Sequence, residues 1–417
     1  MKIPKKYPRK IQKRKIIKIL SQNNSSIKYN YKLGILLYLL IFIPSIISPN
    51  VVSLNNKCLW ILKDSLKDKE SIRNALHYAT QSNFDIVFIQ IRSRGDAFYN
   101  SNIVGKSDAI NINFDPLEYA IILGNELGIE VHAWMNCYIL WSKNSLPTSS
   151  EHLYFMHPEW MEYDLYGRLD SKIDLNKLQS REWEGIYLSP MHPEVNLYLY
   201  EVIREVYNNY DVDGIHFDYI RYQNDLYGFH KEGLLEFEKI YNINPRDIVR
   251  GIISPRFGWR ESYVDSLNIS WNEFKSNKIT ELLYLIRNDL EESKKSVKLS
   301  AAVKPNLIEA KKIWFQDWDL WLNNGLLDFV VPMNYFKDDK NYNLSIEIMK
   351  ESIDGDKLNQ IIMGVATYNQ DANSVSNKIY ISRLNGFKGI SIFSYDSHKN
   401  DLDWFEPVIN SMNIKFD

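Results

Sequence analysis

Val212-Asp213-Gly214-Ile215-His216-Phe217-Asp218-Tyr219-Ile220-Arg221-Tyr222 is the stretch whose reading decides the fold. Its first seven residues read as one strand that ends in an acid. The apolar run is nearly continuous, the pattern of a parallel strand covered on both faces. Side chains alternate across a strand, so Ile215 and Phe217 face a helical layer and Gly214, His216 and Asp218 face inward. Asp213, at the strand's entry, takes a structural part. Asp218 stands at the exit, with His216 one layer below it and Arg221 just beyond.

Seven more short apolar runs share this character: Cys58–Leu62, Ile86–Ile91, Ile129–Trp134, Val297–Val303, Leu327–Met333, Ile361–Ala366 and Gly389–Phe393. Helix-like stretches lie between them. Ser71–Ser82 carries Ile72, Ala75, Leu76 and Ala79 at helical spacing. Asp115-Pro116 opens a second helix with a cap and a first-turn proline, and Gly128 closes it. Pro193–Tyr207 and Ile279–Leu290 read similarly. Eight strand–helix units point to the α/β class and a (β/α)₈ TIM barrel with long loop insertions, chiefly Tyr138–Leu188 and Gln223–Asn277. A doubly wound open sheet is the rival. It would show a glycine-rich phosphate loop after the first strand, where this chain has Leu62-Lys63-Asp64-Ser65.

The charge is unevenly spread. Residues 1–53 hold eleven Lys or Arg and no acid, which leaves 39 basic against 52 acidic residues beyond them. Such an acidic body repels phosphate backbones and argues against nucleic-acid binding. Within the leader, a basic stretch is followed by the apolar run Leu33–Ile47, the order of a signal segment, with Val51-Val52-Ser53 as a cleavage site before Leu54. The expected layout is a leader over 1–53, either cleaved or kept as the sole membrane anchor, and a catalytic barrel over 54–417. The barrel is expected outside the cytoplasm, in the periplasm or at the cell surface. Cys58 and Cys137 match no zinc or redox spacing and read as buried thiols. Nothing in the sequence indicates an oligomeric state.

Barrel active sites form at the carboxyl ends of the strands and in the loops that follow. The second unit supplies Gln90, Arg92 and Arg94 on one face, then Asp96. Inward arginines need anionic partners, with Asp218 and Asp96 in reach, and their charge would hold a carboxylate ionised. A structural charge network is the equal alternative. The third unit places His132, Trp134 and Asn136 on one face. No second ligand stands at metal spacing from His132, so neither metal nor cofactor is expected. His152 and His157 contact substrate or pack loops. Later units add Lys304, Gln316-Asp317-Trp318, Asn334, Tyr335, Tyr368 and Tyr395. Trp141, Trp160, Trp183, Trp314, Trp318 and Trp321 could line a saccharide cleft, although each alone could equally pack a loop.

Taken together these motifs resemble the bacterial family 10 glycosylhydrolase-like proteins, a group of exported barrel proteins. The likeness runs through Arg94-Gly95-Asp96-Ala97 with Tyr99, His132-Ala133-Trp134 with Asn136, and His157-Pro158-Glu159-Trp160. It continues in Leu188-Ser189-Pro190, Asp213 to Tyr222, Ser300–Val303, Gln316-Asp317-Trp318, Pro332–Tyr335 and Phe393-Ser394-Tyr395. The resemblance implies a (β/α)₈ barrel, a glycoside hydrolase and, for some members, action on cell-wall glycans. The leader departs from it, since many relatives look lipid-anchored.

The expected activity is hydrolysis of an envelope or extracellular polysaccharide, peptidoglycan strands among the candidates. Glycosidases use two carboxyl groups. Asp218 is the expected nucleophile or base, and Asp317 or Asp96 the expected acid. Arg92, Arg94, His132, Trp134, Asn136, His216, Arg221, Tyr222, Trp318, Asn334, Tyr335 and Tyr395 are the expected sugar contacts. A glycan-binding envelope protein without catalysis is the alternative.

Overall fold

Eight parallel strands form the sheet in the computed structural model, which describes residues 51–172 and 183–414. In chain order they are Asn56–Ile61, Ile86–Ser93, Glu130–Asn136, Gly214–Asp218, Lys298–Val303, Phe329–Pro332, Ile362–Ala366 and Gly389–Phe393. Each pairs with its sequence neighbours except the sixth with the seventh, and the eighth also pairs with the first. Two isolated parallel bridges, Val330 to Ile361 and Met333 to Gly364, close the gap between the sixth and seventh. The basic leader and its apolar run lie outside the described residues.

Alternation sorts the strand residues into two separate apolar clusters. Ile61, Val87, Ile89, Ala133, Ile215, Phe217, Leu299 and Ile390 pack outward against the helices. Cys58, Trp60, Phe88, Trp134, Ala302 and Val331 fill the lumen. The barrel is therefore a packed core open to chemistry only at its ends. Both cysteines are free and buried.

Helices follow the strands with local signals at their ends. Asp68 caps Lys69–Gln81 through Ser71 N at 2.8 Å. Asp115 accepts from Leu117 N and Glu118 N to start Pro116–Leu127, and Gly128 ends it at φ 69°. In the first helix, burial of Ile72 and Leu76 contributes roughly 1.5–3 kcal/mol each. Pro193–Asn209 matches its expected span closely, whereas the expected Ile279–Leu290 helix is the end of a 33-residue helix, Glu261–Ser293. Among the described residues, no helix is long and apolar enough to cross a membrane.

Candidate active site

Asp218 ends the fourth strand, level with Asn136 on the third. Trp134 Nε1 donates to its Oδ2 at 3.2 Å and Tyr219 N to its Oδ1 at 2.7 Å. Tyr219 holds that bond from a left-handed backbone, φ 51°, uncommon for a bulky residue. Burial pushes the Asp218 carboxyl up to about 6, against the Tyr219 amide, the Arg221 charge and the Trp134 indole.

Beside it lies an acid the sequence reading did not single out. Glu184 accepts from Arg221 Nη2 at 2.8 Å and from the Tyr187 hydroxyl at 2.6 Å. It is near enough for its charge to raise Asp218. Burial lifts the Glu184 carboxyl, but the Arg221 and Lys304 charges and the Tyr187 hydroxyl outweigh it, so the net shift is downward. The two carboxyl groups are thus pushed apart, one toward the neutral form and one toward the ionised form, as an acid–base pair requires.

Tertiary contacts from the first insertion put Glu184 there. Asp170, fully buried, accepts from Trp183 Nε1 and from Tyr187 N, both at 2.9 Å, and so clamps the chain on either side of Glu184. Gly185 is required between them, because a Cβ there would sit 2.4 Å from the Trp141 carbonyl oxygen. Strand Ile186–Tyr187 then pairs with Ile139–Trp141. The one sequence cue was a carboxylate beside a glycine, next to a tryptophan already noted.

The arginines of the second strand turn elsewhere. A register shift between Gln90 and Arg92 breaks the alternation. Arg92 is buried and donates to the carbonyls of Asn136 and Cys137, close to Tyr198 on Pro193–Asn209. Its expected place facing substrate is corrected: it braces the end of the third strand. Arg94 and Gly95, at φ 56° and 77°, form a tight hairpin turn, and Arg94 Nε donates to Ser142 Oγ at 2.9 Å. With neither arginine paired to Asp218, the expectation that they keep it ionised is also corrected.

Several expected sugar contacts lie in packed layers. His132 is fully buried near the barrel floor, bonded to Glu130 Oε2 at 3.2 Å with Phe88 and Phe329 near its ring. His216 stacks on Phe88, meets Trp60 edge-on and bonds Ser300 Oγ at 2.8 Å; burial holds its ring neutral. Tyr222 reaches the Lys275 carbonyl, and Trp318 reaches the Lys304 carbonyl. Asn334 donates to the Tyr342 carbonyl, and Tyr395 packs on Tyr78. These six are supports, because shapes that fill a close-packed barrel leave no face for a ligand.

Of the expected acids, Asp96 is half-buried, raised by burial to about 6, and 3.8 Å from His152 Nε2. Asp317 is raised to about 6 by burial and by Asp319, and it pairs with Lys311 at 2.9 Å. Its hydrogen-bond and ion-pair partners are therefore Lys311 and Asp319. His152 Nδ1 accepts from Tyr154 N to cap Leu153–Met156 and its Nε2 donates to the Arg94 carbonyl at 2.8 Å, and His157 stacks on Trp160, so both pack loops. The tryptophan cleft reduces to Trp314, which is half-buried, while Trp141, Trp160, Trp183, Trp318 and Trp321 are buried. Tyr335, Arg221 and Trp134 remain around Asp218; the Tyr335 hydroxyl is buried, bonds no described residue, and feels the Asp218 charge. Among the described residues no three His, Cys, Asp or Glu side chains group as metal ligands would.

Trp134→Phe keeps an aromatic ring, though a smaller one, and removes the bond to Asp218 Oδ2. A bond to a charged acceptor is worth roughly 1.5–3 kcal/mol, and less at 3.2 Å. Its loss disfavours the carboxylate, so the Asp218 limb of the pH–rate profile is expected to move upward, by about one pH unit. An unmoved limb would mean that the indole does not tune this acid.

Residues 50–382 match the model of the family described as Glycosyl hydrolase-like 10. Similar proteins include the glycosyl hydrolase DigH of Escherichia coli (strain K12), 26% identical over 161 residues, 36% of this chain and 34% of DigH. The glycosyl hydrolase YngK of Bacillus subtilis (strain 168) is 28% identical over 170 residues, 38% of this chain and 30% of YngK. The matched stretches thus span about a third of each relative. Among solved structures, the PgaB (BpsB) glycoside hydrolase domain from Bordetella bronchiseptica has a TM-score of 0.63 at 12% identity, covering 87% of this chain and 99% of that domain. The catalytic domain of beta-amylase from Paenibacillus polymyxa has a TM-score of 0.55 at 10% identity, covering 87% of this chain and all of that domain. At those identities the likeness is one of fold. The matched family model covers most of the sequence, from before the barrel's first strand into the helix Ala372–Leu384 that follows the seventh, and on that ground the chain belongs to the Glycosyl hydrolase-like 10 family.

Proposed function

We propose that this chain hydrolyses glycosidic bonds in an envelope or extracellular polysaccharide, using Asp218 and Glu184 as its carboxyl pair. The observation that carries this reading is the opposed setting of the two acids at one barrel mouth: Asp218 buried and raised to about 6, Glu184 lowered beside Arg221. Family membership supports the reaction class. In this scheme the Asp218 carboxylic acid protonates the glycosidic oxygen as the bond to the sugar carbon breaks. Glu184, ionised, attacks that carbon or takes a proton from the water that does. If Glu184 attacked the carbon, the Asp218 carboxylate then takes a proton from the water that displaces Glu184 from the sugar; if Glu184 took the proton of the attacking water, it releases that proton to solvent and Asp218 regains one from solvent.

Export or anchoring by the 1–53 leader is part of the proposal, because a polysaccharide substrate lies outside the cytoplasm. Peptidoglycan strands stripped of peptides are the first substrate to try, beside neutral β-linked and α-linked polysaccharides. Purified protein is expected to generate new reducing ends from one of them at a rate proportional to enzyme concentration. Retention of a glycan on the protein with no new reducing ends from any substrate would favour the glycan-binding alternative.

A further inference from the structure

Lys304 leaves the fifth strand at the mouth and is pinned on both sides of its Cα. Its backbone N–H donates to Gln316 Oε1 at 2.9 Å, and its carbonyl accepts from Trp318 Nε1 at 3.2 Å. Gln316 is itself fully buried, with its amide shared between the Ile220 and Ala302 carbonyls. The motif Gln316-Asp317-Trp318 therefore serves to aim a lysine. That lysine's ammonium lies 4.5 Å from the centroid of the Trp314 ring.

Lys304, Trp314, Met333, Tyr335 and Phe336 line a pocket of about 300 Å³, with the exposed Glu309 also in its lining. Tyr335 joins this pocket to Asp218, whose charge it feels. The lysine has no ion-pair partner within 4.0 Å among the described residues, and the nearby Glu184 is already taken by Arg221. Burial and the neighbouring Arg221 charge push its amine down, to about 8, outweighing the Glu184 and Asp218 charges that act to raise it, so a bound anion would offset what remains of that cost. A larger pocket of about 350 Å³, between Pro193–Asn209 and Lys231–Tyr241, has its Lys278 already paired with Glu236 at 2.9 Å.

We propose that Lys304 forms a sugar subsite beside Asp218 that binds a carboxylate carried by the glycan, with Trp314 and Tyr335 as its apolar walls. The substrate class is then an acidic polysaccharide, drawn to a lysine that, unlike Arg221, has no ion-pair partner among the described residues. This inference rests on the glycosidase reading for its meaning, and its test is one of binding, so the two can fail separately.

The test titrates the full-length protein with two carboxylate-bearing oligosaccharides, one a uronate at C6 and one a 3-O-lactyl sugar, each against its carboxyl-reduced counterpart. Wild type is expected to bind at least one charged form about tenfold more tightly than its reduced form. Lys304→Met is expected to erase that preference, and Lys304→Arg, which folds around the same charge, to keep most of it. Which charged oligosaccharide is preferred identifies the position of the carboxylate. Equal binding of charged and reduced forms, preference surviving in Lys304→Met, or no binding of any of the four would overturn the subsite. Preference without cleavage of any bound sugar would instead overturn the glycosidase reading and leave the subsite standing.

Discussion

Asp218→Asn is expected to lower kcat/KM on a natural glycan by roughly 10²–10⁴-fold, the usual contribution of a positioned proton donor. The amide has nearly the shape of the acid and can still accept from Trp134 Nε1 or Tyr219 N, so glycan binding should persist. What it lacks is the proton. The wild-type profile should accordingly fall as pH rises through about 6, where burial places the loss of the Asp218 proton. It should also fall at low pH, where Glu184 is protonated, because Arg221 holds that group below the ordinary range. The alkaline limb should vanish from the residual activity of Asp218→Asn.

Comparison with Glu184→Gln assigns the roles. A substrate with a 4-nitrophenolate leaving group needs little protonation, so Asp218→Asn should lose far less on it than on a natural glycan. Glu184→Gln should lose heavily on both, since attack on the sugar carbon is impaired whatever departs. Equal losses on both substrates for Asp218→Asn, with the alkaline limb intact, would remove Asp218 from the acid's role and return it to that of base.

The largest stability effect is expected at Glu162. This residue and Asp170 are buried carboxyl groups within the first insertion, raised by burial to about 8 and about 7. A carboxyl group whose folded pKa is raised contributes stability that is complete below its unfolded value, near 4, and is lost as pH rises through the folded value. Between pH 5 and 7 each therefore removes up to about 1.4 kcal/mol of stability per pH unit. Lys275, lowered to about 7 by burial, works in the opposite direction only above that pH. Glu162→Gln imitates the protonated form and retains an oxygen for Tyr163 N, and Ser189 Oγ, which donates to Glu162 Oε2, would accept from the new amide instead.

Because Asp218 and Asp96 titrate in the same window, the informative quantity is the gap between variant and wild type. That gap should widen by up to about 1.4 kcal/mol per pH unit from pH 5 to 7, with the variant melting roughly 5 °C higher at pH 7. Denaturant unfolding at pH 5, 6 and 7 measures it. A gap independent of pH would mean that Glu162 is ionised in the folded protein. The point bears on function, since Asp170 in the same cluster clamps the segment that carries Glu184.

The eight strands and the terminal position of Asp218 were legible in the chain itself. Strands covered on both faces must be apolar nearly throughout, and a period of two then says which side chain meets the lumen. The same rule misled at the second strand, where a single register shift between Gln90 and Arg92 reversed every facing beyond it and took Arg92 out of the lumen. It also could not say how deep an inward residue sits, which is why His132 and His216 read as ligands of a mouth they lie beneath. Glu184 was decided by tertiary structure alone. Its position depends on Asp170, Trp141 and Arg221, groups 14, 43 and 37 residues away along the chain, meeting across an insertion with no repeating pattern to read. Local periodicity encodes which face of an element is buried; which loop reaches which strand end is settled only when the barrel has closed and each buried polar group has found its partner.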